Sequence, residues 1–317
     1  MSTFTSAQIK PQPQKQAALA PHQFRWTPYL FILPHLIFFT VFVIYPLFYG
    51  LYISFFNFNY LRPDTSPFIG LQNYTNLFNL TNVDAQLFWT SLWNKVQFVI
   101  FSVPLLVVCS LGLAILLNTR TPGRNIYRAI YFAPWVLSVA VVGLLWWWIF
   151  QSQGGLLNYY LAALGLPEPQ WLSSLPWAWV ALVVCTLWWT IGFNTIILLA
   201  ALQDIPAFLY EAGAIDGATG WQVFRGITLP LLRPVLLFII IITIISSFNL
   251  FGQPYIMTHG GPSLASGGGA TTPVMLEIFN QGFVRYYQGS ATAMSFIVAA
   301  IMIMISYANF RLFQQRD

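Results

Sequence analysis

"YEAGAIDGATGWQVFRGITLP", residues 210–230, lies between two apolar runs, each long enough to cross a membrane. It carries Glu211 and Asp216, with Asp204 just upstream, and five glycines or prolines. Only 7% of the 317 residues are charged, so acidic side chains and turn formers gathered in one connection need a reason. Local chemistry predicts two short helices around a glycine turn. Asp204 is the expected N-cap of the first, and Pro206 fits its first turn. Phe208, Ala212 and Ile215 recur at helical spacing and form an apolar stripe. Gly217 supplies the stop, because glycine takes positive φ without a Cβ clash. Thr219 is the expected cap of a second helix carrying Trp221 and Phe224. Pro230 and Pro234 are expected to break the chain before the next apolar run.

The surrounding composition sets the class. Soluble domains are about 25% charged and about 45–50% apolar. This chain is 57% hydrophobic and 18% aromatic, with a mean hydropathy of +0.67. It cannot cover a water-facing surface and reads as an all-α, polytopic membrane protein in contact with the lipid bilayer. The net charge of +5 is therefore no sign of nucleic-acid binding, since basic residues in membrane proteins mark cytoplasmic loops. Cys109 and Cys185 fall inside apolar runs and read as inert small hydrophobes, with no disulfide or zinc spacing. Residues 1–28, rich in Gln, Pro and Ala, read as a disordered cytosolic tail. The first apolar run, from Tyr29, is long enough to be retained as a span and has no clear cleavage site.

A membrane helix needs about 20 mostly apolar residues. Six segments qualify, at 29–55, 96–117, 129–150, 178–202, 234–257 and 289–311, so residues 29–317 are expected to form one six-helix domain. Their interior prolines, Pro34, Pro46, Pro104 and Pro134, are tolerated in helices packed against neighbours. Lys10, Lys15, Arg25, Arg120, Arg124, Arg128, Arg225, Arg233, Arg311 and Arg316 fall on one side of this map. Arg62, Lys95 and Arg285 fall on the other. That asymmetry places both termini and the acidic loop in the cytosol. Trp146, Trp147 and Trp148, with Trp171, Trp177 and Trp179, gather at the opposite side. They form either an outer aromatic belt or stacking platforms for sugars.

The loop has two readings. A helix lying flat on lipid usually carries Lys and Arg on its polar face, whereas Asp204, Glu211 and Asp216 make this one acidic. A protein partner with an apolar groove and a basic rim fits it better. The residues then carry a resemblance. Glu211, Ala212 and Gly213, then Gly217, then Ile227, Leu229 and Pro230 follow the pattern E-A-A-x3-G-x9-I-x-L-P. This resembles the signature of the inner-membrane permeases of binding-protein-dependent ABC importers, with Gly213 in place of the second alanine. "PYLFILPHLIFF", "YPLFYGLYISF", "GLQNYTNLF", "TPGRNIYRAIYFAPWVLS" and "MTHGGP" are similar to the sugar-uptake subgroup, which includes maltose, glycerol-phosphate and multiple-sugar permeases. The resemblance implies a type I importer transmembrane domain in a bacterial inner membrane. It implies coupling helices at about 204–230, in which Glu211, Ala212, Gly213, Asp216, Gly217, Trp221 and Phe224 meet a separate ATPase. The implied partners are a second permease subunit, an ATPase dimer holding ATP and magnesium, an extracytoplasmic binding protein and a sugar. No cofactor is expected on this chain, and no G-x-x-x-x-G-K-[ST] loop occurs in it.

For the solute, the fourth span offers Trp188, Trp189, Asn194 and Thr195 around Gly192, and the resemblance carries over Trp188, Ile191, Gly192, Thr195, Ser246, Ser247, Phe248 and Asn249, with Gln253 one turn further. Aromatic faces with amide and hydroxyl groups suit an uncharged saccharide, and the spans are nearly free of ionisable residues. The same Ser, Thr and Asn side chains also glue membrane helices together, so pocket and packing roles both stand. In some two-permease importers the sugar site lies mainly on the partner. The loop near 56–95 is too short for the large periplasmic domain of the maltose permease, so contacts to the binding protein are expected at about 60–94, 151–177 and 258–288. The run 260–273 is flexible by composition. The alternatives are an ion-coupled secondary transporter, disfavoured by the lack of ionisable residues within spans, an ABC permease for a non-sugar solute, and a membrane enzyme. His22, His35 and His259 are scattered and make no catalytic arrangement.

Overall fold

The computed structural model describes residues 26–119, 123–265 and 267–314. Most of the expected tail, and Arg120 and Arg316, lie outside the described residues. Among those residues there is no strand beyond three isolated bridges, and the fold is all-α. The chain divides into two units, one ending at Tyr49 and one beginning at Gly50. In the first, helix α1 (Tyr29–Ile53, running into the second unit) contains a π-helical turn at Thr40–Ile44. Rings stack along it at one-turn spacing, His35 on Phe39, Phe38 on Phe42 and Tyr45 on Tyr49.

The second unit is organised by α2 (Val83–Asn118) and α5 (Trp177–Gln203), which pack along each other. α2 starts thirteen residues before the expected span, because the Asn82 side chain accepts from the Asp84 N–H and caps it there. Its 36 residues span about 54 Å, well beyond the roughly 30 Å of hydrocarbon. Small polar residues seal the α2–α5 seam. Ser110 Oγ donates to the Ile191 carbonyl at 3.3 Å, and Thr195 Oγ1 donates to the same carbonyl at 2.7 Å. Ala114, Leu117, Leu198 and Leu202 fill one end of it.

The third span is broken. α3 (Arg124–Phe132) and α4 (Val139–Ile149) meet at 99° across a short 3-10 turn, Ala133–Val136. Pro134 removes a helical donor there, and Ser138 restarts the helix by accepting from the Val141 N–H. The fifth span departs from expectation at both ends. α7 (Gly220–Val223), a π turn (Phe224–Thr228) and α8 (Leu229–Phe248) run on continuously, so Pro230 and Pro234 do not stop the helix. Pro230 follows directly on the π turn, where the i→i−4 ladder is already interrupted. The helix instead ends at Phe248, nine residues short of the expected 257, and resumes as a π turn at Pro254–Thr258.

The loop after that turn is folded rather than slack. Thr258 and Thr271 hydroxyls bond at 2.8 Å, Thr272 Oγ1 donates to the Gly260 carbonyl at 3.1 Å, and Asn94 of α2 donates to the Gly269 and Thr272 carbonyls. α9 (Val274–Phe279) and its π-helical extension to Val284 are tied to the start of α2. Arg285 Nη1 donates to Glu277 at 2.7 Å and to Gln281 at 2.6 Å, and Gln281 Nε2 donates to Asp84 at 3.0 Å. Burial raises the Glu277 carboxyl above its ordinary value, with Arg285 opposing that shift and Asp84 adding to it. α10 (Gln288–Gln314) completes the unit.

Candidate functional site

Two features stand apart from the packed core. The first is the acidic loop. α6 (Ala207–Ile215) ends in a Schellman motif: Gly217 has φ of +71°, its N–H bonds to the Ala214 carbonyl, and the Ala218 N–H bonds to the Gly213 carbonyl. α7 opens with a capping box, in which Thr219 and Gln222 satisfy each other's backbone N–H. Asp204 does not cap α6. It closes α5, and Pro206 holds the N-cap position without a side-chain bond. The pair is braced from behind, with Tyr210 and Thr228 hydroxyls 3.2 Å apart and buried Gly213 against Ile227 and Val223. The opposite face presents Phe208, Ala212 and Ile215 to solvent, the last 86% exposed, beside exposed Glu211 and Asp216. Trp221 is also exposed and lies 5.4 Å from the half-buried ring of Phe224. The arrangement is a rigid, acidic, apolar-faced knob.

The second feature is a cavity of about 480 Å³ between α2, α5, the third-span break and the end of α8. Its aromatic walls are Phe98, Trp135, Trp189, Phe193 and Phe251. Trp135 stacks on Phe193 at 4.7 Å and 20°, and Trp189 Nε1 donates to the Leu137 carbonyl, which fixes both rings against the break. Thr186 and Thr190 donate to carbonyls one turn back, and Asn194 donates to Thr243 at 3.4 Å. Ser246, Asn249 and Gln253 also face the cavity, and the two amides make no side-chain bond to another described residue.

Of the residues singled out from the sequence, Ser246, Ser247, Asn249 and Gln253 line this cavity. Trp188, Ile191, Gly192, Thr195 and Phe248 do not. On α5 the cavity is lined by Thr186, Trp189, Thr190, Phe193 and Asn194; Trp189 and Asn194 are among the groups the sequence offers, whereas the residues carried over by resemblance form a stripe two residues later. Two residues turn a helix by about 200°, so that choice falls on the far face. There Trp188 meets Trp146 edge-on, Gly192 abuts the Tyr131 backbone, and Ile191 and Thr195 pack against Ser110. Phe248 points into a separate core with Leu77, Phe88 and Met294. Trp135 was missed because the break that aims it inward has only Pro134 as its sequence signal.

Among the described residues, five helices are long and apolar enough to cross a membrane and one bent pair makes a broken span; with the cavity of rings and amides in the second unit, they are the frame of a membrane permease. Residues 107–316 match the model of the binding-protein-dependent transport system inner membrane component, and the chain belongs to that family. It is 37% identical over 280 residues to the trehalose/maltose transport system permease protein MalF of Thermococcus litoralis, covering 88% of this chain and 91% of that one. It is 32% identical to the sulfoquinovosyl glycerol transport system permease protein SmoG of Agrobacterium fabrum, covering 91% and 90%. The arabinooligosaccharides transport system permease protein AraP of Bacillus subtilis is 31% identical, with 90% and 88% covered. The fold matches a chain of a bacterial ABC transporter involved in alginate import, with a TM-score of 0.78 at 23% identity over 92% of this chain and 96% of that one.

Proposed function

We propose that this chain is one of two non-identical permease subunits of an ATP-driven saccharide importer, and that the 480 Å³ cavity is where the sugar passes. The cavity lining carries this reading. Flat rings offer apolar faces to the C–H side of a sugar, and the amides of Asn249 and Gln253 are free to meet its hydroxyls. The relatives named for trehalose/maltose and arabinooligosaccharide transport point to the same solute class.

The acidic knob on α6 and α7 is the docking element for an ATPase subunit, which would hold the ATP and magnesium. Glu211, beside the Phe208–Ala212–Ile215 stripe, suits an apolar groove with a basic rim. The excess of Lys and Arg on that side supports cytosolic termini and a cytosolic loop at 203–233, in a bacterial cytoplasmic membrane. The outer loops at about 60–94, 151–177 and 258–288 then face an extracytoplasmic binding protein.

The test is to purify the complex through a tag on this chain and screen its co-purifying binding protein against saccharides, amino acids and inorganic ions. Binding of a saccharide with low-micromolar or tighter affinity is expected. Binding confined to a non-saccharide would overturn the solute class.

A further inference from the structure

Lys95 is fully buried in α2, and no carboxylate among the described residues pairs with it. The charge map assigned it to an outer loop. Because α2 begins at Val83, it lies instead about three turns into a continuous helix. An ε-amino group so completely buried is held only by what packs against it. Its Nζ donates to the Leu250 carbonyl at 3.5 Å and lies 5.6 Å from the centre of the Phe98 ring. Both of those residues line the cavity.

Leu250 stands just past the end of α8. Its carbonyl has no helical donor, because the residue four further on is Pro254, which carries no N–H. Non-helical backbone within a membrane persists only where protein or cavity water satisfies it. Here the Asn249 and Leu250 N–H groups fold back onto the Ser246 and Ser247 carbonyls. The buried Leu250 carbonyl goes on to meet Lys95. The neighbouring Asn94 holds the Gly269 and Thr272 carbonyls, so consecutive residues of α2 grip the chain on both sides of the Pro254–Thr258 turn.

We infer that Lys95 is a positioning residue for transport: by capping the broken end of α8 it fixes the 249–253 turn and sets where Asn249 and Gln253 stand in the cavity wall. The inference rests on the proposed role of that cavity. Lys95 touches backbone and ring, and it acts on the solute through the turn it holds.

The experiment uses the assembled transporter. Lys95→Met keeps the stem and removes the donor; Lys95→Arg keeps a donor. Lys95→Met should raise the half-saturating solute concentration by about tenfold, the loss expected of one hydrogen bond, with the maximal rate little changed, and Lys95→Arg should recover most of it. In a background lacking Cys109 and Cys185, a cysteine at Phe251 should react faster with a thiol reagent when Met replaces Lys95. Should the Met variant fail to assemble, Lys95→Gln carries both readouts. Unchanged half-saturation and unchanged labelling would overturn the capping role, provided that Asn249→Ala impairs uptake. Normal uptake with Asn249→Ala would instead remove the cavity reading itself. A defect confined to acidic saccharides would also overturn capping, by making Lys95 a receptor for solute charge.

Discussion

Gly192 of α5 and Tyr131 of α3 meet backbone to backbone, so closely that a Cβ on Gly192 would overlap the Tyr131 carbonyl. No side-chain rotamer relieves such a clash. Gly192→Ala should therefore force the two helices apart at a cost of about 1–3 kcal/mol. The purified complex should melt at a lower temperature than the parent. An unchanged melting temperature would mean that the α3 backbone yields freely at this crossing.

Gly213 and Gly217 should respond in opposite ways. A Cβ on Gly213 would lie 3.3 Å from Ile227 Cδ1, the far end of a flexible side chain, and alanine gains about 1 kcal/mol in helix propensity over glycine. Gly213→Ala, which restores the family's usual residue, should keep both ATPase pull-down and uptake. Gly217 has open space around it but φ of +71°, which a β-branched residue resists. Gly217→Val should misaim α7 against α6 and lose coupling. Equal behaviour of the two variants would count against the turn as the determinant.

At Glu211 the sign of the charge should matter more than its presence. Truncating an interfacial charge costs about 2–5 kcal/mol where it is buried by a partner. Glu211→Ala loses that contact, and Glu211→Lys adds repulsion from a basic rim. Pull-down of the ATPase beside uptake should therefore rank parent above Ala above Lys, with normal membrane insertion throughout. Normal pull-down and uptake with Lys would mean that the knob lies on lipid and the motor docks elsewhere.

Neighbouring tryptophans of α5 should separate cavity from packing. Trp189 lines the cavity and Trp188 meets Trp146 on another face. Trp189→Ala should raise the half-saturating solute concentration about tenfold or more, while Trp188→Ala should chiefly lower thermal stability. Each lost aromatic contact is worth about 0.5–1.5 kcal/mol beyond its buried area. The reverse pattern in uptake kinetics would place the solute on the opposite face of α5.

The Glu277 carboxyl should leave a mark on stability at the outer face. Burial raises it above its ordinary value. Its contribution is then full below the unfolded value and is lost as pH rises through the folded one. The melting temperature should fall across that window, and Glu277→Gln, which keeps an acceptor for Arg285, should flatten the fall. An identical slope in parent and variant would show that Glu277 does not titrate there.

Residues with one local conformational solution were legible from sequence. Gly217 reads as a positive-φ stop and Thr219 as the cap of the second helix, and both stand so. The spans were legible because lipid demands length and apolarity. The breaks at Pro134 and Asn249 were not, since proline is tolerated in one membrane helix and disruptive in the next, depending on what surrounds it. That Lys95 stands within α2 was not legible, because charge patterning cannot mark where a helix begins. On α5 the sequence offered residues on both stripes, Trp189 and Asn194 beside the cavity and the carried-over set two positions away, because a span apolar all round has no polar side to orient it.

The threonine-clasped outer loop, anchored on Asn94, changes what a partner would meet there. A slack glycine run must surrender its freedom on contact, at about 1–2 kcal/mol for each backbone residue ordered. Here the threonine and Asn94 bonds already hold both flanks of the run, so fewer residues are left to order on contact, and that preorganisation is returned as affinity.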